Sequence, residues 1–223
     1  MKTQIQRSEV EIPVGRNRLG GELVLPGDAT GIVLFAHGSG SSRHSPRNQY
    51  VARVLHDAAL GTLLFDLLTA QEEEEEYYTR HLRFNIDLLA TRLIAATEWL
   101  AQQDLPQDAR FGYFGSSTGA AAALIAAAQA PDRTGAVVSR GGRPDLAAAH
   151  LAKVTAPTLF VVGANDTGVI ELNEQAYAQL RCEKELRLVP GATHLFEETG
   201  ALEKVARLAS DWFSKHLQLP KFS

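Results

Sequence analysis

From residue 31 onward, short runs that are apolar at nearly every position alternate with longer segments in which apolar residues recur at helical spacing. The short runs cover 32–36, 62–65, 111–114, 136–139, 158–162 and 186–189, and the helical segments 48–59, 83–102, 119–129, 145–153, 171–180 and 201–217. Strands without a polar face are buried on both sides, and a helix after each one makes the sheet mostly parallel with helices on both faces. The expected architecture is doubly wound α/β. Ahead of it, 10–13 and 22–25 read as an opening hairpin around the stretch from Gly15 to Gly21, which brings the sheet to eight strands.

Two interruptions of the pattern matter. Between the runs ending at 139 and starting at 158 there is room for one short helix, so no inserted cap domain is expected. The glutamates at 72–76 repel one another and predict a solvated loop ahead of the helix at 83. The alanines at 120–123, by contrast, suit a helix pressed closely against a sheet.

Composition narrows the classes of function. With 223 residues and 45% hydrophobic content, the chain fits one domain, 1–223, around one sizeable core. A net charge of -4 gives no basic excess for a phosphate backbone, so nucleic acid is not an expected partner. The single cysteine, Cys182, excludes an internal disulfide, lies away from any glycine turn, and reads as structural. The N-terminal heptad has no apolar leader core, and no apolar stretch approaches the roughly 18 residues of a membrane span. A cytoplasmic protein with no membrane partner is expected.

The chemistry centres on Gly115-Ser116-Ser117-Thr118-Gly119, which falls between the strand at 111–114 and the alanine-rich helix. A sharp strand-to-helix turn lifts a serine hydroxyl off the end of the sheet, and glycines two residues either side let the two backbones meet. Ser117 is therefore the candidate nucleophile, with the adjacent Ser116 a poor second. Serine needs a base, an orienting acid and donors for the oxyanion of a tetrahedral intermediate. The Thr118 amide is one donor. The other should come from His37-Gly38-Ser39-Gly40-Ser41-Ser42, with Ser39 preferred over Gly40.

In the order serine, acid, histidine, the base is His194, in the loop Pro190-Gly191-Ala192-Thr193-His194 after the last strand. The acid is Asp166, at the strand end Val161-Val162-Gly163-Ala164-Asn165-Asp166. Asp145 competes, but Pro144-Asp145 looks like a helix start. His37 reads as a positioning residue, and the pair His37 and His44 has no carboxylate cluster to make it a metal site. Gly38, Gly40, Arg43, Arg140 and Arg143 lie on loops leaving the carboxyl ends of the sheet, where such folds bind ligands. One or more of these arginines could read an anionic substrate group; the plainer alternative is a salt bridge to Glu171 or the acidic run.

Taken in order, the 37–42 loop, the 115–119 elbow, Gly163-Ala164-Asn165-Asp166 and Pro190-Gly191-Ala192-Thr193-His194 resemble the dienelactone-hydrolase-like branch of the α/β-hydrolases, from about residue 30 to the end. The resemblance implies the α/β-hydrolase fold and a cofactor-free, metal-free hydrolysis of small esters or lactones through an acyl-enzyme. Dienelactone hydrolases proper carry a cysteine nucleophile, and Ser117 stands in its place here. Acyl or peptidyl transfer could use the same triad, and a binding protein on a hydrolase scaffold is the alternative from another class. Monomer and homodimer are both left open.

Overall fold

The computed structural model describes residues 4–29, 31–105 and 109–217; residues 1–3 of the N-terminal heptad lie outside it. Eight strands form one sheet in the order β1-β2-β4-β3-β5-β6-β7-β8. The hairpin strands β1 (Ile5–Val14) and β2 (Asn17–Pro26) are antiparallel, and β2 joins β4 (Leu60–Phe65) antiparallel. From β4 onward every pairing is parallel, through β3 (Gly31–Ala36), β5 (Arg110–Ser116), β6 (Thr134–Arg140), β7 (Thr158–Gly163) and β8 (Lys184–Val189).

The uninterrupted apolar runs have the expected cause. Every position of β3, β4 and β7 is buried, because helices cover both faces. One face packs against α1 (Pro46–Asp57) and α6 (Ala201–Leu217), through Val51, Leu55, Val205 and Phe213. The other packs against α3 (Ile86–Leu100), α4 (Thr118–Gln129) and α5 (Thr167–Gln179), through Leu89, Leu93, Ala123 and Ala176.

Four expectations need correction. The hairpin strands are much longer than 10–13 and 22–25, because the turn occupies only Gly15 and Arg16, with Gly15 at φ 63°. The run at 186–189 is not a buried strand: β8 is the sheet edge, and only Val189 in it is buried. The segment 145–153 forms two 3-10 turns, Pro144–Ala147 and Leu151–Lys153, rather than one helix.

The largest correction concerns the acidic run, which belongs to a helix, α2 (Ala70–Thr79), and not to a solvated loop. Thr69 and Glu72 form a reciprocal capping box at its start. Glu72 accepts both terminal nitrogens of Arg92, at 2.6 and 2.5 Å, and this pairing holds its carboxyl down at about 2. Glu76 is fully buried, and burial opposes its ionisation. Hydrogen bonds from the Arg83 guanidinium and from the Leu82 and Arg83 amides outweigh that cost and hold it at about 2.

Candidate active site

The carboxyl ends of β3, β5, β6, β7 and β8 bring the singled-out loops to one side of the molecule. At the end of β5, Ser117 has φ 51° and ψ -119°, a conformation that L-residues rarely adopt. Its neighbours explain how the turn is tolerated. A Cβ on Gly115 would lie 2.4 Å from Ala120 Cα, and one on Gly119 would lie 2.1 Å from the Ala36 carbonyl oxygen. Only hydrogen fits at either place. The Ser117 amide donates to the Arg140 carbonyl at 3.3 Å, and its own carbonyl accepts from the Arg143 amide at 3.1 Å, so both sides of the elbow are tied to the segment that ends β6.

Asp166 stands at the N-terminal end of α5, one turn from the end of β7. Its Oδ2 lies 2.7 Å from His194 Nδ1, a charge-bearing contact that fixes the ring and leaves Nε2 on its other side. The loop carrying His194 is clamped by Glu198, which accepts from the Thr193 amide at 3.0 Å and from the Thr193 hydroxyl at 2.5 Å. Ser117 and His194 line one cavity of about 260 Å³, together with Ser39, Arg47, Arg140 and Leu195. No hydrogen bond joins Ser117 to His194 among the described residues, as is common in unliganded sites whose contacts tighten around substrate. A larger cavity of about 640 Å³ lies alongside, between Arg43, His44, Asp66 and Glu73, and includes neither Ser117 nor His194.

Ser116, the other serine of the motif, is buried and donates to Asn48 Oδ1 at 3.3 Å. His37 accepts the Leu67 amide on Nε2 at 3.1 Å and presents Nδ1 to the Gly38 carbonyl at 3.0 Å, so its proton sits on Nδ1 and the ring is neutral. Burial pushes its pKa down accordingly. That ring pins the 37–42 loop to Leu67, in the segment just past β4, a positioning role. Within the loop, the Ser39 amide is not free: it donates to Thr118 Oγ1 at 3.1 Å, while the Ser39 hydroxyl donates to the Arg83 carbonyl at 3.2 Å. Gly38 and Ser39 line the smaller cavity, whereas Gly40 lines the larger one.

The three arginines part company. Arg43 is ion-paired with Asp66, whose other oxygen takes the Arg43 amide at 2.8 Å. Arg143 makes a two-pronged pair with Asp145 at 2.9 and 2.8 Å, while the carboxylate against His194 is that of Asp166. Neither Glu171 nor the acidic run takes them. Arg140 alone is buried, with Nε and Nη1 lacking any hydrogen-bond partner among the described residues. Sequence reading missed Arg47 and Asn48: they enter the site from the first turn of α1, and nothing in their local sequence marks them. Among the described residues no group of His, Cys, Asp and Glu could hold a metal ion, and no helix is long and apolar enough to cross a membrane.

A mostly parallel eight-stranded sheet with a strained serine between its central strand and a helix defines an α/β-hydrolase. The profile of the dienelactone hydrolase family matches residues 57–220, and the chain belongs to that family. The crystal structure of a dienelactone hydrolase from Anabaena variabilis ATCC 29413 is 58% identical and superposes with a TM-score of 0.94, covering 96% of this chain and 100% of that one. Est1E from Butyrivibrio proteoclasticus has the same fold at 16% identity, with a TM-score of 0.78 over 93% of this chain and 98% of its own. A protein of Mycobacterium tuberculosis, named provisionally as a phosphoribosyl transferase, is 54% identical over 213 residues, which is 96% of this chain and 47% of that protein. This chain thus spans about half the length of that relative.

Proposed function

We propose that the protein hydrolyses small carboxylic esters or lactones through an acyl-enzyme on Ser117. Ser117 Oγ attacks the carbonyl carbon while His194 Nε2 takes its proton. His194 then returns that proton to the leaving alkoxide, and Asp166 holds the ring and stabilises the imidazolium. Water, deprotonated by the same ring, releases the acid and restores the serine. The oxyanion is held by the Thr118 amide at the start of α4, where the helix dipole favours negative charge, and by the Ser39 amide shared with Thr118 Oγ1.

The observation that carries this reading is the left-handed backbone of Ser117 in the same small cavity as a histidine already oriented by a carboxylate. The transferase activity in the Mycobacterium tuberculosis relative's name is not carried over, because this chain spans about half of that protein. Turnover of p-nitrophenyl butyrate and of a small aromatic lactone tests the reaction. Ser117→Ala should lower kcat/KM by about a thousandfold or more. Undiminished turnover by that variant would overturn the assignment.

A further inference from the structure

The sheet ends in β1 on one side and in β8 on the other. An edge strand offers a row of unpaired backbone groups, and proteins discourage a second strand from adding there with proline or with charge. β1 carries Pro13, whereas β8 reads Lys184-Glu185-Leu186-Arg187-Leu188-Val189, without proline. Its ladder to β7 decides which groups are left over. The Thr158 amide donates to the Glu183 carbonyl and the Ala164 amide to the Val189 carbonyl, both at 2.9 Å. The odd-numbered residues therefore face β7, and Lys184, Leu186 and Leu188 turn their N–H and C=O outward, where no further strand lies among the described residues.

The charges on β8 discriminate between partners. An antiparallel strand must set its own outward residues opposite these, so a second copy of β8 can pair only about a twofold axis that passes through a residue. Centred on Glu185, that carboxylate faces itself; centred on Arg187, two guanidiniums meet. Centred on Leu186, each Glu185 faces Arg187 of the other copy in a pair without backbone bonds, the closer kind for side chains. The opposite face then sets Leu186 against Leu186 and the stem of Lys184 against Leu188, which is 46% exposed in the single chain. Lys184 Nζ is already tied back to the Tyr177 and Leu180 carbonyls, at 2.7 Å each, so its charge stays clear of that contact. Within one strand Arg187 and Glu185 pair at 2.6 Å, an exposed ion pair that contributes little and can be exchanged across the axis.

We propose that two copies of this chain associate through β8, paired antiparallel about a twofold axis at Leu186, so that their sheets join into one. The outward groups of Lys184, Leu186 and Leu188 on each copy then find backbone partners on the other, and the charges of β8 are matched in this register alone of the three. A single strand pair covers less area than a standard interface, so the dimer is a reversible one with a micromolar dissociation constant. Because the paired strands run in opposite directions, the two Ser117 cavities open toward opposite sides of the joined sheet, and the association goes beyond the hydrolase reading without depending on it.

Sedimentation equilibrium from about 1 µM to about 300 µM chain tests it. Wild type should pass from monomer to dimer. Glu185→Arg and Arg187→Glu should each raise the dissociation constant about tenfold or more, since like charges then face each other in both symmetry-related pairs. An equimolar mixture of those two variants should recover the dimer, because the only matched pairing left is between unlike chains, and Glu185→Arg/Arg187→Glu should recover it alone. Both side chains are well exposed, at 39 and 57%, so the substitutions leave the core untouched. Wild type that stays monomeric or forms larger assemblies, a dimer that the single variants leave intact, or a mixture that does not re-associate would each overturn the proposal. Hydrogen exchange on wild type gives a reading that needs no variant: the Leu186 and Leu188 amides should exchange more slowly at the high concentration than at the low one. Equal rates at both concentrations would rule out β8 as the interface.

Discussion

Ser117 occupies a backbone conformation that its own side chain does nothing to favour, so the surrounding glycines must hold it there. A methyl at Gly119 would meet two carbonyl oxygens, at 2.1 and 2.5 Å, neither of which can retreat without moving β3. Gly119→Ala should therefore abolish esterase activity and lower the melting temperature, whereas Gly168→Ala, with nothing within 4 Å of its Cβ, should leave the fold intact. Paired melting curves check this. Asp166→Asn should keep the fold but lower kcat by about a hundredfold to ten-thousandfold, because the amide no longer fixes the productive tautomer of His194. Comparable kcat for the two would detach Asp166 from the reaction.

At this scale much of the candidate site's layout was legible, because Ser117, Asp166 and His194 each sit in a turn marked within a few neighbouring residues. Ser39, Arg47 and Arg140 were less so. The bond from the Ser39 amide to Thr118 Oγ1 joins residues 79 apart in sequence, and Arg140 differs from Arg43 and Arg143 in being buried and in pairing with no carboxylate among the described residues. Pairing across the fold leaves no local mark.

At the scale of elements, α2 shows how a charge run can mislead. Five adjacent glutamates suggest solvent, yet their effect depends on Arg92 and Arg83, which lie 20 and 7 residues away from their partners. The capping box of Thr69 and Glu72 was the local signal that a helix begins there. Glu76→Gln should destabilise the protein by about 2 to 3 kcal/mol, since it weakens a buried pair and leaves Arg83 and two amides poorly satisfied. The pH dependence has a definite sign. Glu76 and Glu72 titrate near 2 when folded and at the ordinary 4.5 when unfolded, so their stabilisation is complete above 4.5 and lost as pH falls toward 2. Denaturant melts across that window should be steeper in wild type than in Glu76→Gln. Equal slopes would mean that the buried carboxylate does not carry the acid sensitivity.

For the molecule as a whole, the mostly parallel sheet and its two helical layers were readable because β3, β4 and β7 have no solvent face to encode. The edge was not: β8 continues the apolar rhythm in sequence but has no neighbour beyond it, and exposure of an edge follows from sheet order rather than composition. The same sheet order brings the ends of β3, β5, β6, β7 and β8 to one side, which is why residues spread from Gly38 to Leu195 line one cavity. Covalent capture of Ser117 tests that convergence most directly. Intact mass spectrometry after treatment with a fluorophosphonate should show one adduct, mapped to the peptide containing Ser117 and absent from Ser117→Ala. Folded wild type that takes no adduct, or an adduct that persists in Ser117→Ala, would contradict the account.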